Sequence, residues 1–183
     1  MKSKLNGKRI YIRALQKNDA PALLEINKEN REIFNCYSPV DKEDTFFTRK
    51  SHEEMIEDQQ QAWLNDRQYG FGIFTNQTDK LIGTVNLFFV ERYTAEKCMI
   101  GYGLDYRYKG NGYMTEAVQL AVRFAFKEAG FHRIEAGVMP RNTGSIRVLE
   151  NCGFMKEGTL RDELKINGRF EDHHIYSRLS TDI

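Results

Sequence analysis

Few folds accommodate a strand that runs through two glycines straight into a long helix, and residues 95–129 read that way. Ala95 to Leu104 is an apolar, strand-like run, Arg107-Tyr108-Lys109-Gly110-Asn111-Gly112 follows, and Tyr113 to Ala129 has helical spacing. Without Cβ atoms at Gly110 and Gly112, a ligand can come close to the backbone. The amides from Arg107 to Tyr113 can turn inward at the positive end of the helix, which makes an anion cradle. Arg107 and Lys109 add cationic side chains beside it, suiting a diphosphate. Taken alone, the hexapeptide fits a plain strand-to-helix turn equally well.

Spacing excludes two familiar phosphate loops. No G-x-x-x-x-G-K-[ST] occurs, and the dinucleotide fingerprint lacks its third glycine, because Gly101-x-Gly103 is followed by Tyr106 and Gly110-x-Gly112 by Thr115. The 183 residues fit one domain with an unstapled core. The 27 basic and 26 acidic residues argue against a dominant nucleic-acid or membrane footprint. Cys36, Cys98 and Cys152 have neither CxxC nor Cys/His spacing, so they read as reduced, buried thiols with no zinc site or disulfide framework. Met1-Lys2-Ser3-Lys4 opens a polar segment, and no apolar run reaches about 18 residues, so the expected location is the cytoplasm.

In chain order, Arg9 to Leu15 alternates as a strand. Asn18 and Asp19 offer caps, and Pro21 starts a helix ending near Asn30. Periodicity is lost from Glu32 to Thr48. Ser51 with Glu54 resembles a capping box opening a helix to about Asp66. The segment Asp41 to Asp58 holds seven acids and three bases, either a solvated face or an acidic rim attractive to an amine. Tyr69 to Thr75 and Lys80 to Glu91 form a hairpin, and Gly101 and Gly103 suggest a bulge or a close approach in the next strand. The helix after the glycine loop has Glu116, Gln119, Arg123 and Lys127 on its wet side and stops at Gly130. His132 to Val138 is a strand and Asn142 opens a helix. The tail pairs Phe154 to Thr159 with Arg169 to Leu179 across Asn167-Gly168. The order predicts one α+β domain with a mixed, mostly antiparallel sheet, covering residues 1–183 with its core at about 8–179.

Three groups of residues together carry a resemblance: Arg107-x-x-Gly110-x-Gly112, Pro140-x-Asn142-x-x-Ser145 and Glu150-x-x-Gly153-Phe154. In this combination the chain resembles the GCN5-related N-acetyltransferases, and within them the ribosomal-protein N-terminal acetyltransferase subgroup. Ile100-Gly101-Tyr102, Gly112-Tyr113-Met114-Thr115-Glu116-Ala117, Asn167-Gly168, Asp172 and Tyr176 support the likeness. It implies a sheet splayed between the strand ending at Leu104 and the strand beginning at His132, with acetyl-coenzyme A in the gap as co-substrate. Backbone groups near Tyr102 to Leu104 would pair with the pantetheine. The Arg107 to Tyr113 amides, Tyr108, Lys109 and Asn111 among them, would hold the pyrophosphate, and Asn142 and Ser145 would face the pantetheine end.

Direct transfer from a thioester to an amine needs a group to take the amine proton, amides near Leu104 for the oxyanion, and a proton for the departing thiolate. Many members of the resembled family place a tyrosine where Leu149 stands here. Ser145 is therefore the first substitute, with Tyr102 and solvent behind it. Glu135 is the candidate base, with Glu163, Asp162 and His173 competing. Gly103 stands where close relatives carry a bulky aromatic, which leaves room near the thioester. The expected activity is acetyl transfer to a primary amine, either a protein N-terminus or a small amine such as a polyamine, amino acid or aminoglycoside. A non-catalytic acyl-coenzyme A sensor is the competing reading, and a homodimer is left open. Metal, membrane and nucleic acid have no expected role.

Overall fold

In the computed structural model, the described residues are 4–39 and 42–182, so Asp41 and the first three residues lie outside them. The strands are β1 (Leu5–Asn6), β2 (Ile10–Arg13), β3 (Tyr69–Thr75), β4 (Leu81–Glu91), β5 (Lys97–Leu104), β6 (Arg133–Val138), β7 (Met155–Ile166) and β8 (Arg169–Leu179). The helices are α1 (Ala20–Glu29), α2 (Arg31–Asn35), α3 (Arg49–Leu64), α4 (Tyr113–Lys127) and α5 (Thr143–Asn151). All eight strands join one sheet in the order β1-β2-β3-β4-β5-β6-β8-β7, and every neighbouring pair is antiparallel except β5 and β6. The mixed, mostly antiparallel α+β architecture is the expected one.

Alternation along β2 explains how the sheet is covered. Ile10 and Ile12 point into the larger core, shared with Val118, Ala121 and Val122 of α4 and Leu149 of α5. Tyr11 and Leu15 belong instead to a smaller core with Leu23 and Ile26 of α1 and Ile56 of α3. The sheet thus has an α4/α5 face and an α1/α3 face, and the chemistry below divides between them.

Several local expectations shift. Asp19 sits at the N-cap of α1, but its carboxylate is taken by the Arg13 guanidinium at 2.7 and 2.9 Å and does not cap that helix. The cap of α3 is Thr48, whose Oγ1 accepts from the Ser51 amide at 3.1 Å, so Ser51 and Glu54 are interior residues. No register break falls at Gly101 or Gly103. The β4–β5 irregularity lies between Phe88 and Glu91, so the bulge expected at the two glycines is absent from them. The tail hairpin is longer than expected, because β7 runs through Asp162 and Glu163 to Ile166. Cys98 and Cys152 are buried, and burial pushes both thiols up to about 12; Cys36, against expectation, is exposed. Among the described residues, no helix is long and apolar enough to cross a membrane.

Glu116 is not on the wet side of α4. Its carboxylate accepts from the Arg9 amide at 2.9 Å, the Arg9 Nε at 3.2 Å and the Ile10 amide at 3.5 Å, clamping β2 to the start of α4. Burial alone would push this carboxyl up, but the hydrogen bonds from Arg9 and Ile10 outweigh it and hold the group below its ordinary value. Replacing Glu116 with Ala strands those donors and is expected to cost about 1–3 kcal/mol. Because the folded value is depressed, the contribution is complete above the ordinary glutamate range and disappears as pH falls through the folded value. Thermal melts should therefore show a Tm gap between wild type and variant that is full at neutral pH and closes in acid.

Candidate active site

The parallel ladder between β5 and β6 has three rungs, Lys97 with Arg133, Cys98 with Ile134 and Met99 with Glu135, and then stops. From Ile100 to Leu104, β5 continues to pair with β4 on its other side, through Gly83, Thr84, Val85, Asn86 and Leu87. β6 meanwhile turns away to pair with β8 along its whole length. The sheet opens into a V whose β5 wall presents an edge that, among the described residues, has no strand partner, such as an extended amide-bearing ligand could join.

The same strand leads into the glycine loop. Asp105 is fully buried and begins a 3-10 turn, Tyr106–Tyr108. The Arg107 amide donates to Asp105 Oδ1 at 3.1 Å, the Tyr108 amide to the Asp105 carbonyl at 2.9 Å, and the Lys109 amide to the Tyr106 carbonyl at 3.1 Å. These three amides are spent inside the turn, which corrects the expectation that the cradle begins at Arg107. Nor is the Arg107 guanidinium free: it lies 2.6 Å from Asp105 and 3.6 and 3.7 Å from Glu29 and Glu25 of α1. Burial would push the Asp105 carboxyl up, yet the Arg107 contacts prevail and keep it below its ordinary value. The role of Arg107 in the structure is to fasten the loop to α1, helped by the Tyr106 amide donating to the buried Asn30 Oδ1 at 2.9 Å.

Beyond Lys109 the situation reverses. Gly110 and Gly112 have φ of +82° and +74°, and a Cβ on Gly110 would meet nothing within 4 Å. Gly112 is the N-cap of α4 and no side chain caps that helix, so among the described residues the Gly110 to Met114 amides are left without hydrogen-bond partners at the positive helix end. Arg9 supplies a cation there that sequence reading missed. Its Nη1 donates to the Asn111 carbonyl at 2.7 Å and its guanidinium lies 5.0 Å from the Tyr113 ring centroid. Lys109 is exposed beside the loop as expected.

Across the V, Asn142 caps α5 by accepting from the Ser145 amide at 3.2 Å. The cap presents the Ser145 hydroxyl to β5, where the Tyr102 hydroxyl lies 2.9 Å from its Oγ and donates to the Ser145 carbonyl at 3.2 Å. Two residues read separately as proton donors are thus one hydrogen-bonded pair bridging the V on the α4/α5 face. Burial pushes the Tyr102 phenol far above its ordinary value, the Ser145 contact offsetting only part of this, so the phenol stays protonated.

Glu135 does not join them. It occupies the last rung at the closed end of the V, where Arg133 Nε holds Oε1 at 2.7 Å and Lys97 Nζ is 3.7 Å from Oε2. Both oxygens face cations, so its position is that of a structural ion pair. Asp162 and Glu163 lie exposed in the irregular middle of β7, and His173 is buried on β8 with Nδ1 3.0 Å from the Glu171 carbonyl. The acidic segment is largely neutralised locally, Asp44 by Arg31, Glu53 by Arg49, Glu54 by Lys50 and Glu57 by Lys17.

A family model described as an acetyltransferase (GNAT) domain matches residues 9–155, most of the chain and all of the loop and V just described. The chain belongs to the GNAT acetyltransferases. This GNAT chain is 47% identical over 178 residues to the probable N-acetyltransferase YjcK of Bacillus subtilis (strain 168), covering 97% of the chain and 98% of that protein. It is 30% identical over 174 residues to the [ribosomal protein uS5]-alanine N-acetyltransferase of Escherichia coli (strain K12), covering 94% and 88%. In structure it resembles the ribosomal-protein-S5-alanine acetyltransferase of Vibrio fischeri, with a TM-score of 0.92, 29% identity and 98% of each chain covered. The protein is an N-acetyltransferase related to the ribosomal-protein acetyltransferases. Leu149 is 1% exposed within the larger core, while Ser145 on the same helix meets Tyr102.

Proposed function

We propose that this acetyltransferase moves the acetyl group of acetyl-coenzyme A directly onto the α-amine of a protein N-terminus. The reading is carried by the strand, loop and helix acting together: an unpartnered β5 edge from Ile100 to Leu104 leads into the uncapped amides at Gly110 to Met114. The acceptor class is supported by the 30% identity to the uS5-alanine enzyme over nearly the whole chain.

The residues fit the coenzyme. Gly110 leaves open space where a Cβ would intrude and Gly112 brings the backbone to within reach of the Arg9 guanidinium, the Gly110, Asn111, Gly112 and Tyr113 amides suit a diphosphate, and Arg9 and Lys109 add positive charge. Leu104 and its neighbours offer backbone groups to the pantetheine amides. The coenzyme supplies an acyl carbon already activated by a thiolate leaving group. The amine nitrogen forms a bond to that carbon as the carbon–sulfur bond breaks. Ser145 Oγ passes its proton to the sulfur while taking one from the Tyr102 hydroxyl 2.9 Å behind it, and solvent returns the proton released by the amine to Tyr102. Since Glu135 is held by two cations, the base is drawn from Glu163, Asp162, His173 or a water they orient.

Free-thiol release from acetyl-coenzyme A tests this against a panel: peptides with a free N-terminal alanine, the same peptides Nα-blocked, a polyamine, an amino acid and an aminoglycoside. Release with the free peptide and none with the blocked one is expected. Stimulation by the polyamine or aminoglycoside alone would replace the protein acceptor with a small amine, and cofactor binding without turnover of any amine would favour a sensor.

A further inference from the structure

The α1/α3 face of β5 carries no side chain at Gly101 or Gly103, yet neither position is bare. A Cβ on Gly103 would lie 3.4 Å from Phe34 Cζ and 3.5 Å from its Cε1, and one on Gly101 would lie 3.0 Å from Phe88 Cε1. Two aromatic rings thus stand against the backbone of the strand whose other edge opens into the V. Phe88 comes from the partner strand, but Phe34 comes from α2, a helix of five residues far earlier in the chain. The space that Gly103 was expected to leave near the thioester is filled by this ring.

The site has a handedness that gives Phe34 its consequence. Tyr102 and Ser145 occupy the α4/α5 face, so an incoming amine has the opposite face for its approach, over Gly101 and Gly103. Phe34 is half-buried, and with Asn27, Arg31 and Phe47 it lines a small pocket of about 30 Å³. The ring, set against the Gly103 backbone, forms a wall on that face of the strand.

We propose that Phe34 is a specificity-determining residue, its ring limiting the size of the acceptor's first side chain to that of a small residue. The inference rests on the protein N-terminus reading above. The test is kcat/KM for matched peptides beginning with Gly, Ala, Val and Leu, in the wild type, Phe34→Ala, Phe34→Leu and Gly103→Ala. Wild type should favour Ala over Leu, and Phe34→Ala should reduce that preference by about 10-fold or more, the range a few methylenes command in an apolar pocket. Phe34→Leu, which keeps an apolar side chain on α2, guards against loss of folding and should show a smaller change in the same direction. Gly103→Ala, whose methyl would sit at ordinary contact distance from the ring, should sharpen the preference. An unchanged Ala-to-Leu ratio in folded Phe34 variants would overturn the inference while leaving the protein-acceptor reading intact. Failure of the wild type to use any of the four peptides would overturn that reading, and this inference with it.

Discussion

Gly110→Asp will bind coenzyme A at least about 100-fold more weakly than wild type, since a carboxylate placed against uncapped amides competes for the charge that a diphosphate would meet. The structure separates this effect from misfolding. A Cβ at Gly110 meets nothing within 4 Å, so the added atoms fit, and the remaining cost is the φ of +82°, about 1–2 kcal/mol for a residue with a side chain. Gly110→Asn provides the control, because asparagine is isosteric, uncharged and tolerant of left-handed backbone. Calorimetric titration of both variants should show the loss concentrated in the aspartate. Equal affinity for Gly110→Asp and wild type would remove the loop from the cofactor site. Arg107 will not offset the added charge, because it is committed to Asp105, Glu25 and Glu29.

Ser145→Ala should lower kcat by about 100-fold with a much smaller effect on coenzyme affinity, the usual scale for removing a positioned proton donor. Tyr102→Phe removes only the hydroxyl 2.9 Å behind Ser145 Oγ and should lower kcat less, by about 10-fold. Because the two hydroxyls act as a unit, the double variant should be little worse than Ser145→Ala alone. Asn142 still caps α5 through the Ser145 amide in every variant, so the helix keeps its start and the comparison reads chemistry. If all three variants turn over within about twofold of wild type, the thiolate takes its proton from solvent and the pair is structural.

The fold class and the loop were legible because their signals are local. Two-residue alternation gives Ile10 and Ile12 to one core and Tyr11 and Leu15 to the other, while glycines at positive φ mark the turn into α4. Asn142 three residues before Ser145 is a capping pattern that the backbone alone obliges. The opening of the V was implied only by the family resemblance, which the GNAT match supports.

The site's polar partnerships were not legible, for a physical reason. A side chain's partner is chosen by the packing of elements that lie far apart in sequence, and no periodicity encodes that choice. Arg9 reaches the loop across 102 residues, and Glu116, read as solvated, is taken by the same strand across 107. Glu135 looked like a base in a cleft, but Arg133 and Lys97 close on it where β5 and β6 are still paired. Gly103 looked like vacant space until α2 brought Phe34 over it. The sequence by itself determined the strand, loop and helix, the caps and the alternation, because each depends on backbone geometry within a few residues. Tertiary structure alone decided which charges are neutralised, which hydroxyls meet across the V, and which ring stands at the glycine floor, because those depend on distances that only the packed sheet and helices set.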